Sequence, residues 1–85
     1  MPELSRFFGI VITMFYDDHS PPHFHAFYGG HRLKVDILDG ASRGAVPSRV
    51  ARLVEEWRRL HVDELLDNWN RTRGRLEPTP IAPLE

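Results

Sequence analysis

The spacing of hydrophobic and polar positions changes period once along the chain. From Phe7 to Tyr16 the residues are almost all β-branched or aromatic (Phe7-Phe8-Gly9-Ile10-Val11-Ile12-Thr13-Met14-Phe15-Tyr16), which predicts a strand. Asp17-Asp18-His19-Ser20-Pro21-Pro22 then reads as a loop. His23–Tyr28 predicts a second strand ending at Gly29-Gly30, and His31–Leu38 a third ending at Asp39-Gly40. Gly-Gly and Asp-Gly suit two-residue hairpin turns because such turns need positive φ. Ala41–Val46 predicts a short fourth strand. From Pro47 the period becomes helical, with Val50, Leu53, Val54, Trp57 and Leu60 on one stripe. The stripe slips after Leu60 and resumes at Val62, Leu65, Leu66 and Trp69, so two helices broken near His61 are expected, with Trp57 and Trp69 in the core. Residues 74–85, with Pro78, Pro80 and Pro83, predict an extended or mobile tail. The expected fold is α+β: a three- to four-stranded antiparallel β-meander packed against two C-terminal helices. Residues 1–73 form the single domain and 74–85 the Pro-rich tail.

Two consequences of this pattern bear on function. The run from Phe7 is apolar at both alternating sets of positions, and a strand of that kind is usually covered on both faces. Two helices cover one face, which leaves the other for the tail, a second copy or another protein. The second consequence concerns register. A two-residue Gly29-Gly30 turn pairs Tyr28 with His31, Ala26 with Leu33, His25 with Lys34, Phe24 with Val35 and His23 with Asp36. Paired residues share a face. Phe24 and Ala26 then enter the core, while His23 and His25 stand on the opposite, solvent side beside Arg32, Lys34 and Asp36. A slip of one residue would reverse this.

Composition narrows the function classes. The 85 residues are 41% hydrophobic and 27% charged, which fits one small globular domain and argues against disorder. There is no cysteine, so disulfides, thiolate metal sites and cysteine nucleophiles are excluded. Lys and Arg number 11 against 12 Asp and Glu, so no global field draws the chain to nucleic acid. The middle segment, 19–49, is nonetheless mildly basic, with Arg32, Lys34, Arg43 and Arg49 against Asp36 and Asp39, and it holds four of the five histidines. The apolar run is too short to span a bilayer and the start lacks the features of a signal peptide, so a cytoplasmic location is expected. Nucleotide-binding glycine motifs, a zincin motif and a hydrolase elbow are all missing from the sequence.

The chemistry concentrates at Asp17-Asp18-His19-Ser20-Pro21-Pro22-His23-Phe24-His25. Three readings stand side by side. His19, His23 and His25, with a carboxylate from Asp17, Asp18 or Asp36, supply donors for zinc, nickel or ferrous iron, although Lys34 opposite His25 works against a dication. His23, His25 and Lys34 would alternatively furnish a general base, a general acid and charge stabilisation for phosphodiester cleavage. In the third reading the histidines are satisfied structural residues, with Asp36 bound to His23 or Arg43 and His19 bonded to its own loop backbone. The candidate binding residues are Asp18, His19, Arg32 and Asp36.

Ser5-Arg6-Phe7-Phe8-Gly9-Ile10-Val11-Ile12, Asp18-His19-Ser20-Pro21-Pro22-His23-Phe24-His25, Tyr28-Gly29, Arg52-Leu53-Val54-Glu55-Glu56-Trp57 and Glu64-Leu65-Leu66-Asp67-Asn68-Trp69 together resemble the bacterial domain of unknown function 4160 family, from about Leu4 to Asn70. The resemblance implies a small bacterial protein, often encoded beside another short protein in a layout like a toxin–antitoxin pair and sometimes labelled a transcriptional regulator. It assigns no catalytic residue. The expected function is a cytoplasmic partner-binding module of such a two-gene system, with the histidine loop and strand recognising a ligand or nucleic acid. The alternatives are a small ribonuclease-type enzyme using His23, His25 and Lys34, or a metal-dependent hydrolase using His19, His23 and His25. Expected partners are a small protein from a neighbouring gene, a second copy of the chain, or nucleic acid, and not a membrane.

Overall fold

The computed structural model describes residues 2–85. Five strands, β1 (Glu3–Phe7), β2 (Ile10–Thr13), β3 (His23–Tyr28), β4 (His31–Asp36) and β5 (Ser42–Gly44), precede two helices, α1 (Ser48–Leu60) and α2 (Val62–Arg73). The strands form one antiparallel sheet in chain order, a meander. The α+β class and the two helices agree with the sequence pattern, and the helix break falls at His61.

The strand count differs, because the run from Phe7 is a hairpin and not one strand. Phe8 and Gly9 take φ of 49° and 79°, the left-handed pair of a type I′ turn, and pair Phe7 with Ile10. Phenylalanine is an unusual residue for that turn, so composition pointed the other way. The hairpin also removes the argument from a strand apolar on both faces. Phe7, Ile10, Ile12 and Met14 are buried, Phe8 projects at the exposed tip, and Val11 is half-buried.

The diglycine register is the expected one at all six pairs from His23↔Asp36 to Tyr28↔His31. Gly29 alone has positive φ there, the type II′ pattern. The Asp39-Gly40 turn is wider than two residues. Strand pairing resumes only at Val35↔Ser42, with Asp36 and Ala41 joined by a 2.8 Å backbone bond.

One apolar core lies between the sheet and α1. Trp57 packs on Phe7 and Phe24, with ring centroids 5.6 and 5.7 Å away, and Leu33, Val35, Val50 and Val54 fill the layer around it. Arg58, also buried, donates to the Ile37 carbonyl and to both carboxylate oxygens of Glu55, so α1 is tied to the β4–β5 connection. Burial at the end of β3 comes from α2, whose Trp69 lies 5.2 Å from the His23 ring.

Residues 74–85 contain no helix or strand and dock on the domain through their second half. Ile81 and Leu84 are buried in the core. The Ile81 N–H donates to the Leu4 carbonyl, Trp57 Nε1–H to the Ala82 carbonyl, and Asn68 both donates to and accepts from the backbone of Thr79. Prolines make this segment extended, and its apolar side chains dock it. Among the described residues no helix is long and apolar enough to cross a membrane.

Candidate functional site

The sheet face turned away from α1 is fixed by the pairing. One cross-strand row is Arg6, Val11, Phe27 and Arg32, the next is Thr13, His25, Lys34 and Arg43, and His23 with Asp36 forms a third. His23 and His25 therefore stand opposite Phe24 and Ala26, on the side that register predicts. Their expected solvent exposure is corrected by the structure: His23 is 2% exposed and His25 8%. Aromatic residues enclose them. Phe15 meets the His25 ring edge-on at 4.6 Å, Phe27 stacks at 6.5 Å, the two imidazoles are 5.2 Å apart, and Trp69 closes over His23. The sequence pattern places Phe15 in a strand and Trp69 in the core, and nothing in their spacing marks them as walls of this site.

The loop between β2 and β3 brings Asp18 to both rings. His23 Nε2 lies 2.8 Å from Asp18 Oδ2, and His25 Nε2 lies 3.7 Å from the same oxygen. His23 Nδ1 is 2.8 Å from the Pro21 carbonyl, which only accepts, so Nδ1 carries a proton. Asp18 Oδ1 accepts the His19 N–H at 2.9 Å, which leaves Oδ2 for the imidazoles. The loop is anchored from the far end of the chain. Arg73 donates to the Ser20 hydroxyl, and Arg75 pairs with Asp17, whose φ of 55° turns the chain just before Asp18.

Electrostatics favours an ionised Asp18 carboxylate beside an uncharged His25 ring. Partial burial pulls the Asp18 carboxyl up, but the His19 N–H and the two imidazoles outweigh it and the net is below the ordinary value. Burial, and then the neighbouring His23, push the His25 imidazole down. Among the described residues neither His25 nitrogen has a hydrogen-bond partner, nor has the hydroxyl of Thr13, its register partner on β2. Three orphaned polar atoms thus belong to one cross-strand pair.

The site differs from the expected sets. Asp18, His23 and His25 are brought within 4.8 Å of one another, whereas His19 is exposed and touches Asp18 only through its backbone. Asp36 is His23's strand partner, yet the ring bonds Asp18 instead. Lys34 lies beside His25 by register, but neither imidazole of the ribonuclease set is open to solvent.

A second feature shares this face. Lys34 pairs directly with Arg43, and Arg32 lies one row along. Arg32, Lys34 and Arg43 make no ion pair among the described residues, unlike Arg6, which is held by Glu3 at 2.8 Å. Like charges directly opposite on neighbouring strands are destabilising, so the cluster is not there for the sheet's sake.

No curated protein and no solved structure matches the chain. The hairpin from Gly9, the histidine loop and strand, and both helices as far as Asn70 fall within residues 9–70, which match the family described as Domain of unknown function (DUF4160), and the chain belongs to that family.

Proposed function

We propose that the chain is a partner-binding module of a two-gene, toxin–antitoxin-like or regulatory system in the bacterial cytoplasm, and that its basic sheet face takes an acidic patch on the small protein encoded beside it. The observation that carries this reading is the cross-strand pair Lys34↔Arg43 with Arg32 alongside and, among the described residues, no carboxylate paired to any of them. An acidic partner relieves that repulsion, and half-buried Val11 and Phe27, in the cross-strand row beside Arg32, add apolar contact. Three cations are few for nucleic acid, where affinity grows with each phosphate neutralised. A protein surface suits them better.

Co-expression with the neighbouring gene product and affinity purification test the reading. The native chain is expected to carry the partner through purification. The triple variant R32E/K34E/R43E is expected to lose it, with binding weakened by tenfold or more and most strongly at low salt. Capture unaffected by the triple variant, or retention of nucleic acid with no protein partner, would contradict it.

A further inference from the structure

We propose that Asp18, His23 and His25 form a site for one divalent transition-metal ion of the zinc, nickel or ferrous-iron class, which fastens the loop before Pro22 to β3. The inference stands apart from the sheet-face reading and needs none of its residues.

The donor geometry is close to what such an ion requires. Two ligands held about 2.0–2.1 Å from a tetrahedral ion lie roughly 3.3 Å apart. The observed separations of 2.8 Å (His23 Nε2 to Asp18 Oδ2) and 3.7 Å (His25 Nε2 to Asp18 Oδ2) bracket that spacing. Two imidazoles and one carboxylate are borderline donors suited to this class of ion and not to calcium or magnesium. Three protein donors leave a tetrahedral ion one position for water or a further ligand.

The orientation of the His23 ring points the same way. Its Nδ1–H is donated to the Pro21 carbonyl, which turns Nε2 toward Asp18 Oδ2. The bond from the second ring nitrogen to a backbone carbonyl is the outer-shell arrangement that orients metal-binding histidines.

His25 supplies the independent observation. Its side chain is 10% exposed and neither nitrogen has a partner. Were these rings simply satisfied core residues, His25 would have a donor or acceptor of its own. A metal at Nε2 gives one of the two nitrogens its partner. Lys34, the nearest cation by register, makes no hydrogen bond or ion pair with any of the three donors.

The test uses the full chain stripped with EDTA and then titrated with Zn²⁺, Ni²⁺ or Co²⁺. One equivalent is expected to bind, Co²⁺ is expected to develop visible d–d absorption, and Zn²⁺ at a hundredfold excess over Kd is expected to raise Tm by at least about 10 °C. Asp18→Asn and His25→Gln should abolish all three signals, while His19→Ala and Asp36→Asn should leave them. If His25→Gln does not fold, Asp18→Asn, whose side chain is 22% exposed, decides together with the cobalt spectrum of the native chain. A native chain whose Tm and spectrum ignore all three metals would overturn the proposal. So would binding that survives Asp18→Asn or is lost with His19→Ala.

Discussion

His23 Nε2 and Asp18 Oδ2 lie 2.8 Å apart across a loop that includes two prolines, and that contact joins the loop to the sheet. His23 is buried and Asp18 only partly so, which makes the carboxylate the member that can be removed without opening a cavity. Hydrogen bonds to charged groups contribute about 1.5–3 kcal/mol. Asp18→Asn is therefore expected to lower the metal-free chain's unfolding free energy by about 1–2 kcal/mol. His19→Ala, on an exposed side chain, should stay within about 0.5 kcal/mol. Urea denaturation of the two variants checks the difference.

The β1–β2 turn gives a prediction of opposite sign. Phe8 holds φ of 49° at an exposed position, followed by Gly9 at 79°. Asn-Gly is the preferred pair for such a turn and tolerates left-handed φ far better than a bulky aromatic. Phe8→Asn should stabilise the chain by about 0.5–1 kcal/mol, even after loss of the edge-on contact with Phe7. Gly9→Ala should destabilise it by about 1 kcal/mol. Thermal melts of both variants would show shifts in opposite directions.

Gly40 is a second position that demands glycine. Its φ is 78°, and a Cβ there would lie 2.7 Å from Glu55 Oε1 and 2.9 Å from Arg58 Nε. Gly40→Ala is expected to cost about 2 kcal/mol or more, because it strains the backbone and pushes apart the half-buried Glu55 and buried Arg58 that pair there. Denaturant titration reads it.

That pair also sets an acid limit. Hydrogen bonds from Arg58, and less from Arg59, hold the Glu55 carboxyl down at about 2 against the upward pull of burial. A depressed carboxylate contributes stability that is fully present above the unfolded value of 4.5 and lost as pH falls toward 2. Glu55 is about one-third exposed, so screening keeps its share to about 1 kcal/mol or less. Glu55→Gln should flatten the stability profile between pH 4.5 and 2 relative to the native chain.

The docked tail is testable by a single core change. Ile81 is 4% exposed and its backbone is bonded to Leu4 on β1. Ile81→Ala should cost about 2–4 kcal/mol, the range for a large-to-small core substitution. A mobile tail would register nothing in a thermal melt.

What the sequence made legible follows from how local each signal is. The Gly29-Gly30 turn and the alternation Leu33, Val35, Ile37 are local, and they determined the β3–β4 register and the side on which His23 and His25 stand. The slip from Leu60 to Leu65 marked the helix break in the same way. Phe8-Gly9 was hidden because the turn uses an aromatic residue in a conformation that phenylalanine rarely adopts. Ile81 and Leu84 were hidden among prolines that speak for extended backbone and say nothing about docking. The enclosure of the imidazoles depends on Phe15 and Trp69, which lie on different elements and meet only in three dimensions. The choice of Asp18 over His19 turns on one residue of loop geometry.

A loop carboxylate, Asp18, and two strand imidazoles, His23 and His25, form one enclosed unit. Nitrogen-15 NMR of the histidine rings in the metal-free chain tests it most directly. The His23 Nδ1 proton is expected to be protected from exchange by its bond to the Pro21 carbonyl, with through-space contacts from His25 to Phe15 and from His23 to Trp69. Rings of His23 and His25 that exchange with water as freely as that of His19, and show neither aromatic contact, would contradict it.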